Sequence, residues 1–205
     1  DGAVVLYGWE EENGYYDAWD AIYAPPELSE YASFGASLSC LNGAVAVGAP
    51  NADIGSFYWS GLVFILEYIN DATGYAITQT IAPPNPADAM AFGTSVSIRE
   101  EMLAVGAPVT DQNDPGAVYM YAADADSGTY GLVATLAPVI STEEDKFGTS
   151  VSLGPGLTLA VGTPRAIDDG YVSGACVLFE YAEASPQLWI ESGRLTSHLG
   201  ASYAA

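Results

Sequence analysis

Short apolar runs recur along the whole chain, and Gly, Pro, Asn or Asp residues bound almost every one of them. The runs are rich in β-branched and aromatic residues, as in "GLVFILEY" from Gly61 and "GAVYMY" from Gly116. This composition predicts β-strands separated by tight turns. No window keeps apolar residues at helical spacing for longer than about two turns. The pattern therefore predicts an all-β protein.

One hexapeptide shows that the strand pattern is periodic. "FGTSVS" occupies residues 92–97 and again residues 147–152, 55 positions later. A variant, "FGASLS", begins at Phe34, and a more divergent copy, "HLGAS", begins at His198. A repeat of this kind indicates one structural unit used several times.

Each repeat contains four predicted strands in the same order. An opening run such as "GAVYMY" is followed by a turn, by a strand that ends in Ala-Pro, by the hexapeptide strand, and by a strand such as "LAVGAP" from Leu103. A single small sheet cannot bury both of its faces, so we expect the sheets to stack as propeller blades. In the hexapeptide, Phe is expected to enter the interface between sheets, Gly to allow close backbone approach, and Ser to alternate with aliphatic residues.

The predicted fold is therefore a β-propeller built from blades of four antiparallel strands, with about three and a half blades in residues 1–205. The repeat units are placed at about 2–60, 61–115, 116–173 and 174–205. Closed propellers typically have four to eight blades. The chain starts partway through a repeat and without Met, so we expect further blades in a longer parent chain or in a second copy. A four-bladed ring that splits one blade between the two termini is the third alternative.

The sequence "FGTSVS", followed by "LAVGAP" and "GAVYMY", resembles the FG-GAP repeat of integrin α subunits and of shorter-looped secreted proteins. The resemblance implies a β-propeller, an extracellular location, and adhesion or binding through loops on one face. Integrin-type blades also carry a calcium loop of the form D-x-D-x-D-G. The corresponding segments here, "CLNGAV", "IREEML" and "LGPGLT", offer too few oxygen ligands for that cation. We therefore expect the short-loop branch of the family, without a cofactor.

Other acidic loops leave calcium as an alternative. The weak candidates for metal ligands are Asp111, Asn113 and Asp114 in one loop, and Asp168 and Asp169 in another. Asp and Asn are favoured in turns for conformational reasons alone. Solvated turns are therefore the preferred interpretation of both loops.

The charge balance excludes two classes of partner. Half of the residues are hydrophobic, which is enough for a buried core, but 26 acidic residues face only four basic ones, giving a formal net charge of −22. Such a surface repels nucleic acid and anionic membranes. The chain also lacks an apolar run of the roughly 18 residues that a membrane-spanning helix needs, so direct membrane insertion is not expected. A secreted or cell-surface location fits the acidity.

The loops that follow each "AVGAP"-like strand vary most between repeats, and they are the expected binding sites because function concentrates in loops on a rigid scaffold. The candidate ligand-binding residues are Phe57, Tyr58, Trp59 and Tyr171. Their rings can stack on sugars or anchor a protein partner. The alternative is that at least two of the three consecutive rings fold back between sheets. The other tryptophans, Trp9, Trp19 and Trp189, are assigned to packing.

Two cysteines and one histidine are predicted to be structural. Cys40 and Cys176 stand where other repeats have aliphatic residues, so we expect buried thiols. A disulfide between them is the alternative, and it requires the first and fourth units to lie side by side. His198 occupies the Phe position of the last repeat, which favours a role at an interface between sheets.

No motif for a catalytic nucleophile, phosphate loop or metal cluster accompanies these residues. We therefore predict that the chain is not an enzyme. The predicted function is a non-catalytic extracellular module for adhesion, protein–protein interaction or extracellular assembly. The alternative is an accessory or carbohydrate-binding propeller of a larger secreted hydrolase.

Overall fold

The computed structural model describes residues 2–12, 14–109, 114–142, 144–168, 170–182 and 188–196. Within these ranges the secondary structure consists of strands and turns, without a helix, which confirms the all-β prediction. The strands are β1 Ala3–Glu10, β2 Tyr15–Tyr23, β3 Ser37–Leu41, β4 Ala44–Ala49, β5 Leu62–Asn70, β6 Gly74–Ile81, β7 Ser95–Arg99, β8 Met102–Ala107, β9 Ala117–Ala123, β10 Tyr130–Leu136, β11 Ser150–Gly154, β12 Thr158–Thr163, β13 Ile167–Asp168, β14 Tyr171–Val172, β15 Ala175–Ala182 and β16 Leu188–Thr196.

Most of the strands form three antiparallel sheets of four strands each. Sheet I has the order β3-β4-β5-β6, sheet II the order β7-β8-β9-β10, and sheet III the order β11-β12-β15-β16. Strands β1 and β2 form an N-terminal hairpin, and β13 and β14 form a small hairpin inserted within sheet III. Three full sheets and one two-stranded hairpin agree with the prediction of about three and a half blades.

The sheets do not coincide with the repeat units of the sequence. Each sheet begins about half a period after the start of a repeat unit. A unit that begins at Gly61 combines β5 and β6 with β7 and β8, but β4 pairs with β5, for example Val47 with Phe64. The expected grouping of strands within a repeat was therefore wrong. The cause is the Ala-Pro sequence after β6, because Pro83 lacks the N–H group that a further paired strand would need. After this point the chain crosses to the next sheet.

The hydrophobic core lies between the layers. One cluster joins the N-terminal hairpin to sheet I, a second joins sheets I and II, and a third joins sheets II and III. The first strands of the three sheets lie side by side, β3 against β7 and β7 against β11. The layers therefore stack in chain order, and neighbouring sheets contact each other through their hexapeptide strands.

The phenylalanine of the repeated motif is buried at each interface, as predicted. Phe92 and Phe147 are fully buried, and Phe34 is almost so. Phe92 packs edge-to-face against Tyr119 with ring centroids 5.5 Å apart, and Phe147 packs against Phe179 at 6.0 Å. Each ring therefore anchors its own sheet and fills the gap to the neighbouring one.

The glycine of the motif allows a close backbone approach, as predicted, but it lies in the turn before the strand. Gly93 has a φ of +88°, and a Cβ atom there would lie 2.8 Å from the carbonyl oxygen of Leu62. The Gly93 N–H donates to the carbonyl of Gly106 at 3.0 Å. A side chain at this position would meet both an unfavourable φ and a steric clash.

The first serine of the motif joins neighbouring sheets through its hydroxyl group. Ser37 Oγ donates to the carbonyl of Gly93 at 2.8 Å, and Ser95 Oγ donates to the carbonyl of Gly148 at 2.8 Å. Each acceptor is the motif glycine of the next sheet. The sequence had predicted small residues at these interfaces without a hydrogen-bonding role.

The second serine accepts a hydrogen bond from the next sheet. Ser39 Oγ accepts from the backbone N–H of Ile98 at 3.0 Å, and Ser97 Oγ accepts from that of Leu153 at 3.0 Å. The same hydrogen bond thus recurs at both interfaces between adjacent sheets. It explains why the motif repeats serine as well as Phe-Gly.

The prediction that both cysteines are buried was wrong for Cys40. Cys40 is exposed, Cys176 is half-buried, and both are free thiols. In β7 the corresponding aliphatic residue, Ile98, is buried in the cluster between sheets I and II. The matching side of sheet I faces the N-terminal hairpin, which contributes only two strands and leaves Cys40 uncovered.

Two of the three tryptophans assigned to packing are also exposed. Trp189 is buried as expected, whereas Trp9 and Trp19 on the N-terminal hairpin are 51% and 63% exposed. The hairpin has a neighbouring sheet only on the side of Val4, so rings that point elsewhere remain in contact with solvent.

Candidate functional site

The loop between β4 and β5 contains the three consecutive aromatic residues that the sequence singled out. We call residues 53–60 the aromatic loop. Ile54 and Phe57 exchange two backbone hydrogen bonds, of 2.9 and 3.0 Å, around a tight turn in which Gly55 has a φ of +62°. A glycine adopts this conformation without strain. The turn therefore presents the following residues, Tyr58 and Trp59, in a defined position.

Two aspartates fix the backbone of the aromatic loop. Asp53 Oδ1 accepts a hydrogen bond from the Trp59 N–H at 2.9 Å, and Asp88 Oδ1 accepts one from the Tyr58 N–H at 2.8 Å. In return, the Tyr58 carbonyl accepts from the Ala89 N–H at 2.8 Å. The loop is thereby tied to the segment that leads into sheet II. Sequence reasoning missed both aspartates because their partners are backbone groups.

All three aromatic side chains of the loop are exposed to solvent. The exposed fractions are 41% for Phe57, 67% for Tyr58 and 57% for Trp59. The alternative that two of them fold back between the sheets is therefore wrong. Ser60, which follows them, is fully buried and ends the exposed stretch.

Tyr171 lies in the corresponding loop of sheet III, on the β13–β14 hairpin. Its backbone pairs with that of Asp168, and its side chain is exposed together with those of Ile167 and Val172. Sheet II separates this loop from the aromatic loop in the order of the stack. The candidate ligand-binding residues therefore form two separate exposed surfaces.

Buried polar contacts support the base of the sheet III loop. Asp145 is almost fully buried, accepts a hydrogen bond from the Thr142 hydroxyl on its carboxylate, and accepts one from Thr163 Oγ1 on its carbonyl at 2.8 Å. Arg165, next in the loop, forms an ion pair with Glu144 at 2.5 Å. These contacts hold the hairpin that carries Tyr171.

The candidate metal ligands are only partly described by the structure. Asp114 Oδ1 accepts a hydrogen bond from the Gly116 N–H at 2.9 Å, which is the arrangement of an ordinary Asp turn. Asp111, Asn113 and Asp169 lie outside the described residues, as does His198. Within the described part of the chain, no group of three or more His, Cys, Asp or Glu residues is placed to hold a metal ion. For these loops, solvated turns stay the prediction and calcium binding stays its alternative.

Every basic side chain of the protein contacts another group of the same chain. Arg99 and Arg165 lie beside glutamates, while Lys146 and Arg194 donate to backbone carbonyls. The pairs are Arg99 with Glu100 at 4.0 Å, Arg165 with Glu144 at 2.5 Å, Lys146 with the Val109 carbonyl, and Arg194 with the Ile140 carbonyl at 2.6 Å. Few basic side chains therefore offset the negative charge of the surface.

The described residues include no helix with the length and apolar character needed to span a membrane.

Comparison with protein families supports the interpretation of the repeat. The model of the FG-GAP repeat matches residues 76–121. This segment runs from β6 through the buried Phe92 and the strands β7 and β8 into β9. The chain therefore carries the FG-GAP repeat, as its motifs predicted, in a fold of stacked four-stranded sheets. No curated protein matches the chain.

Proposed function

We propose that this chain is a non-catalytic β-propeller module of a secreted or cell-surface protein, and that its aromatic loop binds a protein or glycan partner during adhesion or extracellular assembly. The observation that carries the proposal is the exposure of Phe57, Tyr58 and Trp59 on a backbone held by Asp53 and Asp88. The FG-GAP repeat within the chain supports the same class of function.

The fixed backbone makes the loop suitable for binding. Large aromatic side chains contribute most to interfaces when they enter a partner's pocket, and a preorganised loop loses little conformational entropy on binding. The hydrogen bonds to the Tyr58 and Trp59 N–H groups supply this preorganisation. A partner can therefore bury the rings without first ordering the loop.

The polar groups of the loop favour binding over catalysis. The carboxylates of Asp53 and Asp88 both accept hydrogen bonds from backbone N–H groups, and neither is paired with a basic side chain that would activate it. Of the two serines of the loop, Ser60 is fully buried and Ser56 is exposed, and the loop contains no His, Lys or Arg that could act as its base. A nucleophile and its base need to be within hydrogen-bond reach of each other and of a substrate.

A second surface supports association with further blades or with a second copy. On the N-terminal hairpin, the cross-strand pair Trp9 and Tyr16 packs edge-to-face at 5.1 Å and is exposed, as are Tyr7 and Tyr23. The opposite face of the hairpin, at Val4, packs on sheet I. Sheets I and II each have a neighbouring layer on both sides, so the exposed face of the hairpin is suited to another sheet.

The proposed function predicts that removal of the loop rings weakens partner binding without unfolding the chain. The biotinylated protein is tested for retention on an oligosaccharide array and on surface proteins of its native cells. We expect the Tyr58→Ala/Trp59→Ala double variant to lose at least tenfold in affinity. The control, Val133→Ala, removes an exposed apolar side chain from β10, outside both surfaces, and should bind as the wild type does.

Two results would contradict the proposal. One is the absence of retention on both sets of targets, and the other is an equal loss in the double variant and in Val133→Ala. Retention on polysaccharides alone would favour the accessory module of a secreted hydrolase. Both variants must show the circular dichroism and the melting temperature of a folded chain for the comparison to count.

A further inference from the structure

A cleft of about 600 Å³ lies where the N-terminal hairpin meets the turn between β5 and β6. It is separate from the aromatic loop, and no sequence motif marks it. Its walls combine aromatic rings with carboxylates. The lining residues are Trp19, Asp20, Tyr68, Asp71, Gly74 and Tyr75. We propose that this cleft binds an organic cation, whose alkylammonium group lies against the aromatic rings and between the two carboxylates.

The rings of the cleft are held in place and remain accessible. Tyr68 and Tyr75 pack edge-to-face with centroids 5.8 Å apart, and Tyr68 is 52% exposed. Trp19 is more exposed still, and its indole N–H donates to Glu10 Oε1 at 3.3 Å. The faces of aromatic rings attract cations, and ammonium groups with apolar substituents are bound in this way.

The carboxylate of Asp20, in the lining of the cleft, is held by two backbone donors. Its Oδ1 accepts from the Ala21 N–H at 2.8 Å, and its Oδ2 accepts from the Tyr75 N–H at 2.9 Å. Gly74 makes room for this carboxylate, because a Cβ atom at that position would collide with Asp20 Oδ2. The two backbone donors thus fix the position of the carboxylate beside Tyr75.

The second carboxylate, Asp71, accepts a hydrogen bond from the Tyr68 hydroxyl. This contact holds the carboxylate beside a ring of the cleft. The cleft thus contains two acidic groups, and its lining includes no basic residue. The four Lys and Arg side chains contact groups outside the cleft, Arg99 only at 4.0 Å from Glu100. Charge complementarity therefore favours a cationic ligand over a neutral or an anionic one.

The next interface in the stack shows that joining the sheets does not require the carboxylate. At the junction of sheets I and II, the Tyr130 N–H donates to Gln79 Oε1 at 2.8 Å, and Gln79 Nε2 donates back to the Tyr130 carbonyl at 2.8 Å. A neutral amide thus serves there as the partner of the tyrosine that opens the last strand. At the first interface the same kind of position is taken by the charged Asp20, which adds a capacity to bind cations.

The test is a titration of the whole chain at low ionic strength with choline chloride, followed by isothermal calorimetry. Its neutral isostere, 3,3-dimethylbutan-1-ol, and sodium chloride at matched ionic strength serve as comparison ligands. We expect saturable binding of choline and at least tenfold weaker binding of the isostere. A parallel titration with Nα-acetyl-lysine-N-methylamide distinguishes a small free cation from a lysine side chain, because the tighter of the two identifies the source.

Three variants connect the binding to the cleft. Tyr68→Leu removes a ring and Asp71→Asn removes a charge, and each should weaken choline binding at least fivefold. Asp126→Asn, in the corresponding turn of sheet II, removes one acidic charge at a distance and should leave binding unchanged. Thermal melting of each variant verifies that the fold is retained.

Several outcomes would overturn the proposal. Equal affinity for choline and for its neutral isostere would show that the charge plays no part. Unchanged choline binding in Asp71→Asn, or an equal loss in Asp126→Asn, would place the binding outside the cleft. Tighter binding of cellopentaose than of choline, with loss in Tyr68→Leu, would assign the cleft to neutral sugars instead.

Discussion

The hydroxyl of Ser37 in sheet I donates to the carbonyl of Gly93, 2.8 Å away at the entrance to sheet II. Ser95 repeats the contact with Gly148 at the next interface. The repeated hexapeptide therefore has two tasks. Its glycine closes a turn within its own sheet and accepts a hydrogen bond from the preceding sheet, while its serine donates to the following one.

Removal of the Ser95 hydroxyl is expected to destabilise the protein. Ser95→Ala leaves the carbonyl of the buried Gly148 without this donor, which should lower the free energy of unfolding by about 1–2 kcal/mol. Urea denaturation measures the change. The matched control is Ser150→Ala, at the same position of sheet III, where the side chain is exposed and the cost should stay below about 0.5 kcal/mol. Equal losses in the two variants would contradict the role in joining sheets.

The motif glycine should not tolerate a side chain. Gly93→Ala combines a φ of +88° with a Cβ atom 2.8 Å from the Leu62 carbonyl oxygen, so we expect a loss of about 2–3 kcal/mol or more. Gly131→Ala is the control, because a Cβ atom there has no neighbour within 4 Å and the residue lies in β10. That variant should be neutral or slightly stabilising. Comparable unfolding midpoints for the two variants would refute the steric argument.

Burial of Tyr121 predicts a loss of stability at alkaline pH. Burial raises the pKa of the Tyr121 hydroxyl, and the neighbouring Tyr119 raises it further. Below pH of about 10, tyrosine is protonated in both the folded and the unfolded state. Above it, the unfolded state releases the proton first, so the free energy of unfolding falls as the pH rises towards the folded-state pKa.

Tyr121→Phe tests this dependence. Among the described residues, the Tyr121 hydroxyl has no hydrogen-bond partner, so its removal should cost little at pH 7. We expect urea midpoints between pH 9 and pH 11 to fall less steeply in the variant than in the wild type. Part of the slope should persist, because burial also raises the pKa of Tyr119 and of Tyr130. An identical pH profile in both proteins would exclude Tyr121 as a contributor.

The aspartates below the aromatic loop should control its order more than the stability of the protein. Asp88→Ala removes the acceptor of the Tyr58 N–H, so hydrogen exchange at Tyr58 should accelerate at least tenfold. The unfolding free energy should fall by only about 1 kcal/mol, since the loop is exposed. Asp17→Ala, which removes an acceptor on the N-terminal hairpin, should leave exchange at Tyr58 unchanged. Unaltered exchange in Asp88→Ala would show that the loop is held by other contacts.

Local sequence patterns predicted the strands, and longer-range pairing decided the rest. The run from Leu62 and the Ala-Pro ends are local signals, so the strands and their limits followed from them. Periodicity alone does not show whether β5 shares a sheet with β4, which precedes it, or only with the strands that follow it. The structure pairs β5 with β4. Cys40 was predicted to be buried because its repeat position is buried elsewhere, but its neighbouring layer has only two strands.

The aromatic loop and the cleft also differ in how far the sequence predicts them. The aromatic loop could be predicted because Phe57, Tyr58 and Trp59 are consecutive in a variable loop. The cleft could not be predicted, because Asp20 and Tyr75 are 55 residues apart and meet only when the hairpin packs on sheet I. No local pattern marks either residue.

The hexapeptide strands β3, β7 and β11 each begin a sheet and pack against the hexapeptide strand of the neighbouring sheet. The most direct measurement is a set of backbone nuclear Overhauser contacts in isotope-labelled protein. We expect cross-strand contacts between β8 and β9, with Val105 opposite Tyr119, and contacts between β3 and β7 across the interface. Contacts that pair β6 with β7 as adjacent strands of one sheet, without those between β8 and β9, would contradict this arrangement.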